Sequence, residues 1–133
     1  MNPIRTPNLL ILVTGLFLMT TFVSCAQPAY YAIEVENKTA KEIDNVRLVY
    51  DDGSFEHSIG SLPDEGVASY MDARAPLPNS ATLTWTSLDG QQHKAKLQLP
   101  SLAKYKHEKR NRLGRIDIAI MEGDKVQVSS GPY

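Results

Sequence analysis

The side chains with chemistry to offer are few and scattered. Three histidines, His57, His93 and His107, lie on separate segments without short-range ligand spacing. Zinc sites usually draw ligands from close pairs, so no metal site is expected. Carboxylates come as Glu34 with Glu36, Asp51 with Asp52, and Asp64 with Glu65. A glycosidase needs two facing each other across a cleft. The first pair shares the solvent face of one strand and the others sit in turns, so solvation accounts for them. No serine sits in a Gly-x-Ser-x-Gly elbow. His57 falls on an otherwise apolar face and is expected at the edge of the core. No catalytic residue, cofactor or enzymatic activity is expected. One thiol, Cys25, remains. A lone cysteine forms no internal disulfide.

The residues before Cys25 explain it. Arg5 is the only charge among the first 24, and residues 9–23 are a 15-residue apolar run. A positive head, a short apolar middle and small residues at the end make a secretory signal. A spanning helix wants about 20 apolar residues, and this run is interrupted by Thr14, Gly15, Thr20 and Thr21. Residues 1–24 are therefore expected to be an export signal.

Phe22, Val23, Ser24 and Cys25 resemble a bacterial lipobox, with Phe22 where leucine is usual. The resemblance, confined to this N-terminal stretch, implies a diacylglyceryl group on the Cys25 thiol and cleavage before it. It implies an acylated amino terminus as well in Gram-negative bacteria. Ala26, not Asp, follows the cysteine, which by the same resemblance favours the outer membrane, facing the periplasm. Ser24-Cys25-Ala26 also fits an ordinary signal-peptidase site, with release of a soluble periplasmic or secreted chain before Gln27.

Removing 24 of 133 residues leaves 109, enough for one domain. Arg5 leaves with the signal, so 13 basic residues face 15 acidic ones and the net charge is −2. That balance does not suit nucleic acid. Against it stands one basic run: Lys104, Lys106, Lys109, Arg110, Arg112 and Arg115, with the single acid Glu108, in 12 positions. Such a run is commonly a solvated loop. If the strands alternate in direction, however, it returns to the end where Tyr30 begins and faces anionic headgroups. Residues 25–29, the lipidated cysteine and a tether, hold that end close to the bilayer, since four residues span at most about 14 Å.

The elements that must position these residues are strands. Tyr31, Ile33 and Val35 alternate with polar positions, as do Val46, Leu48 and Tyr50, then Ala81, Leu83 and Trp85, then Ile116 and Ile118. Asp51-Asp52-Gly53, Asp89-Gly90 and Glu122-Gly123-Asp124 are turn signals. Prolines interrupt the chain near residues 63, 76–78 and 100, and residues 101–111 form a long connection with room for a helical turn. Seven or eight strands at this spacing predict an all-β fold, a single antiparallel sandwich over residues 30–129 with a frayed tail at 130–133. A small barrel is the alternative. The expected core holds Tyr31, Ile33, Leu48, Leu83, Trp85, Leu97, Ile116 and Ile118. Trp85 resembles the buried tryptophan of immunoglobulin-like domains, without their paired cysteines.

The expectation for function is a lipid-anchored module of the cell envelope that acts without catalysis. It would contact an envelope protein through loops at residues 37–42, 61–66 and 88–91. An inhibitor or immunity-type lipoprotein is a second reading. A small hydrolase or carbohydrate binder is a third; it would need a cleft, and aromatics available for sugar stacking are few.

Overall fold

The computed structural model describes residues 30–106 and 111–133. Eight strands form: β1 Tyr30–Asn37, β2 Ile43–Tyr50, β3 Glu56–Leu62, β4 Val67–Ala73, β5 Ser80–Ser87, β6 Gln92–Gln98, β7 Arg112–Met121 and β8 Lys125–Gly131. A 3₁₀ turn, Ala103–Tyr105, lies in the long connection. The strands make two four-stranded sheets, ordered β4-β1-β7-β8 and β3-β2-β5-β6.

Turn chemistry separates two kinds of connection. Gly53, Gly90 and Gly123 all have positive φ, and each turns a hairpin within one sheet. The proline-bearing segments at 63–66, 74–79 and 99–111 carry the chain between sheets, as does the loop at 38–42. Proline lacks the amide a ladder needs, so a strand stops and the chain leaves its sheet.

Every strand reverses the direction of the one before. One consequence departs from a purely antiparallel fold. Five pairings are antiparallel, but β1 and β7 pair in parallel, Ile33 opposite Ile116 and Val35 opposite Ile118. The first and seventh strands point the same way, so becoming neighbours forces that pairing. The tail also differs from expectation. Ser129, Ser130 and Gly131 extend β8 opposite Asp117, Ile116 and Arg115, because ten-residue β7 offers ladder partners that far.

One core lies between the sheets. Tyr31, Ile33, Val35, Ile116, Ile118 and Ile120 come from one; Val46, Leu48, Tyr50, Leu83, Trp85 and Leu97 come from the other. All eight expected core residues are buried. Burial of each such large side chain contributes about 1.5–3 kcal/mol.

Candidate functional site

Strand direction sorts the loops into two ends. Tyr30 opens β1 beside Arg112, which opens β7, and the Tyr30 amide donates to the Asn111 carbonyl at 2.9 Å. The 99–111 connection therefore meets the chain's entry into the fold. The loops at 38–42, 63–66, 88–91 and 122–124 gather at the opposite, distal end. The topology thus brings together the three loops expected to share one end, and adds the β7–β8 turn.

The distal end holds a recess of about 280 Å³ between the two sheets. Ile43, Trp85 and Met121 line its apolar part; Lys41, Glu42, Asp89, Glu122 and Asp124 bring charge. Asn37, wholly buried, organises the rim. Its amide nitrogen faces the carbonyls of Lys41 at 2.8 Å, Pro63 at 2.9 Å and Leu62 at 3.1 Å. Its oxygen accepts from the Thr39 amide and hydroxyl. One side chain thereby ties the 38–42 loop to the 63–66 loop. The Ala40 amide, in turn, donates to Glu122 Oε1 at 2.6 Å.

His93 sits in the recess wall, directly across the hairpin from Trp85 and stacked on it, with centroids 5.3 Å apart and planes 12° from parallel. Its Nε2 lies 2.9 Å from Ser87 Oγ and its Nδ1 lies 2.9 Å from Asp124 Oδ1. A serine, a histidine and an aspartate in that order have the connectivity of a nucleophilic triad. The serine proton argues against that role. Ser87 has one hydroxyl proton, and it donates to the Asp89 carboxylate. A carboxylate only accepts, so Nδ1 donates to Asp124, and a Ser87 that spends its proton on Asp89 offers none to Nε2. This assignment rests on the oxygens around the ring. A serine that gives its proton to a carboxylate is not activated by the imidazole. The chain Asp89–Ser87–His93–Asp124 is a bracket that joins β6 to the β7–β8 turn across the sheets.

His57 lies at the other edge of the same sheet, on β3. It packs half-buried against Tyr70, 4.7 Å between centroids, and Phe55, 6.2 Å. Burial pushes its pKa below the usual histidine value. Glu34 and Glu36 share the outer face of β1, and Glu36 pairs with Lys38 at 3.3 Å. Asp51 receives the Ser80 and Thr82 hydroxyls, which hold its carboxyl below the usual range. Asp52 receives the Ser54 amide and hydroxyl with the same effect.

At the Tyr30 end, Lys104 and Lys106 are exposed. Arg112 lies over the Tyr133 ring, 4.2 Å from its centroid. Arg115 stands apart on the outer face of β7, with Nε 2.7 Å from Asp117 and 4.0 Å from Glu34. Gly114 lets the long connection close down here. Its φ is +119°, and an added Cβ would meet Gly131 O at 2.7 Å and Tyr105 Cβ at 2.8 Å. Cys25, His107, Lys109 and Arg110 lie outside the described residues.

Sequence reasoning did not find the Ser87–His93–Asp124 bracket. Ser87 and His93 flank a legible hairpin, and their approach follows from it. Asp124 arrives from the other sheet, and no local pattern announces that.

No protein-family model and no curated protein matches this chain. Among solved structures, the NMR structure of a protein from Eubacterium rectale is similar, with a TM-score of 0.52 and 18% identity over 78% of this chain and 90% of that one. At that identity the likeness concerns the fold alone.

Proposed function

We propose that the chain is a lipid-anchored, immunoglobulin-like module of the bacterial cell envelope. Cys25 carries the lipid, the outer membrane holds it, and the distal end meets a protein partner. The observation that supports this reading is the placement of Tyr30. The residues that follow Cys25 enter the fold there, and the recess and its four loops sit at the other end. A module held by one end presents the other. Leu88, 61% exposed, and Val67, 54% exposed, both lie toward that presented end, and exposed apolar residues beside polar loops suit protein contact.

The test is intact mass and detergent phase partition of the chain made in a bacterium, beside Cys25→Ala. A chain beginning at Cys25 with added lipid mass, lost in the variant, supports the anchor. A soluble chain beginning at Gln27 overturns it. Photocrosslinkers at Leu88 and Lys41 should then capture one discrete envelope partner, and crosslinkers on the outer face at Thr84 should not.

A further inference from the structure

Three cation–ring pairs cluster at the Tyr30 end, each from a different part of the chain. Arg74 lies over Tyr30 at 5.0 Å, Lys104 over Tyr105 at 4.8 Å and Arg112 over Tyr133 at 4.2 Å. Beside them a recess of about 380 Å³ is walled by Leu77, Pro78, Leu99, Pro100 and Leu102, with Lys106 also lining it. Arg74, Lys104 and Lys106 are exposed, while Leu77 and Leu99 are half-buried. Tyrosine has an apolar body and a polar tip, and lysine and arginine have apolar stems under a charge. That combination is enriched where protein meets the boundary between headgroups and acyl chains.

We propose that this end is a docking face for an anionic lipid bilayer. Arg74, Lys104 and Lys106 meet the headgroup phosphates. Tyr30, Tyr105 and the apolar wall settle at the boundary beneath. Two observations choose the bilayer as occupant. The first is charge: among the described residues no ion pair holds Arg74, Lys104 or Lys106, while Asp51, Asp52 and Glu56 at this end belong to the other sheet and are taken up by Ser80, Thr82, Ser54 and Arg47. The second is where the chain enters. Residues 1–29 precede Tyr30, which itself forms part of the face, and residues 26–29 reach at most about 14 Å. The inference deepens the anchored reading, because docking turns a tether into a fixed orientation with the distal loops pointing away. It does not require the lipid for its own test.

The core of the described residues runs from Tyr31 to Ile120, so a chain beginning at Cys25 and carrying Cys25→Ser serves as the unlipidated protein. Its cosedimentation is measured with vesicles of phosphatidylcholine alone and with phosphatidylglycerol added. Binding should require the anionic lipid and weaken as salt rises. Arg74→Glu, Lys104→Glu and Lys106→Glu together should reduce it on the order of a hundredfold, at about fivefold per cation. Lys41→Glu, at the distal end, should leave it unchanged. Equal binding to both vesicle types, or equal loss with Lys41→Glu, overturns the docking face. The salt dependence of the parent chain decides the matter even if the triple variant misfolds. A lipidated Cys25 with charge-independent vesicle binding sinks the face and leaves the anchor standing. Anionic-vesicle binding by a chain whose Cys25 proves unmodified supports the face and sinks the anchor.

Discussion

Tyr50 donates its hydroxyl to Tyr31 across 2.6 Å, and Tyr31 passes its own proton to the Ala75 carbonyl at 2.7 Å. The direction follows from the acceptor: a carbonyl cannot donate, so Tyr31 must. Both tyrosines are 1% exposed and come from opposite sheets, so this relay is a polar seam inside an otherwise apolar core. The two ends of it are unequal. Tyr50→Phe removes one donor and leaves Tyr31 still bonded to Ala75, at a cost of about 1 kcal/mol. Tyr31→Phe leaves both the Tyr50 hydroxyl and the Ala75 carbonyl without partners, at about 2–3 kcal/mol. Urea titrations of both variants should show that order.

The same pair sets the alkaline limit. Burial raises the pKa of both above the ordinary tyrosine value. The mutual hydrogen bond raises Tyr50 further and partly offsets the rise for Tyr31. A phenol with a raised folded-state pKa binds its proton longer in the folded state than in the unfolded state. Stability is therefore full below about pH 10 and falls as pH rises beyond it. Of the six tyrosines, two should resist ionisation in a spectrophotometric titration until the fold opens. Tyr50→Phe should flatten the alkaline loss of stability. An unchanged slope would refute the assignment.

Most of this fold is legible in the chain because it depends on alternation and turn chemistry. Ala81, Leu83 and Trp85 alternate cleanly with threonines, and all three are buried. The proline segments mark where the chain changes sheet. What local pattern does not carry is the pairing of distant strands. Ile33 opposite Ile116 unites segments more than 80 residues apart, and both read simply as apolar positions. The distal recess was half legible for the same reason. Its loops could be placed at one end by counting reversals, but the Asp124 contact with His93 depends on how the two sheets stack.

His57 makes a prediction on the acid side. Its pKa is lowered by burial against its aromatic neighbours. The unfolded chain therefore takes up a proton, as pH falls through about 6.5, that the folded chain resists. Stability contributed by neutral His57 is present above that pH and declines as pH drops toward the folded value. His57→Phe keeps a ring beside Tyr70 and removes the titration. Its melting temperature should fall less between neutral and mildly acid pH than that of the parent. A parallel decline would assign the acid sensitivity to other groups.

The bracket around His93 predicts what Ser87 does not do. Its hydroxyl proton goes to Asp89, so an activated fluorophosphonate probe should leave Ser87 unlabelled at neutral pH, as read by peptide mass. Labelling at Ser87, lost in His93→Phe, would overturn that placement of the proton. His93→Phe itself keeps an aromatic stack on Trp85 and frees Asp124, which is 63% exposed and finds water. Its cost should be about 1 kcal/mol.

Asn37 offers the sharpest test of how the distal loops are held. Its amide group donates toward three carbonyls, those of Lys41, Leu62 and Pro63, with two protons to share among them; Lys41 also accepts from the Thr39 hydroxyl and Pro63 from the Gly66 amide. Asn37→Ala removes the buried side chain's share of the tie between the two loops, at about 1–3 kcal/mol. Asn37→Asp is nearly the same shape, yet it should be worse than alanine at neutral pH. An ionised carboxylate cannot donate, and it would set negative oxygens against three carbonyl dipoles without access to water. Protonation restores one donor, so the aspartate variant alone should regain stability as pH falls. Hydrogen exchange should show the amides of Lys38 and Gly66 opening first in both variants, because these residues flank the tie. If Asn37→Asp matches the parent at neutral pH, the side chain faces the other way and its oxygen, not its nitrogen, addresses the loops.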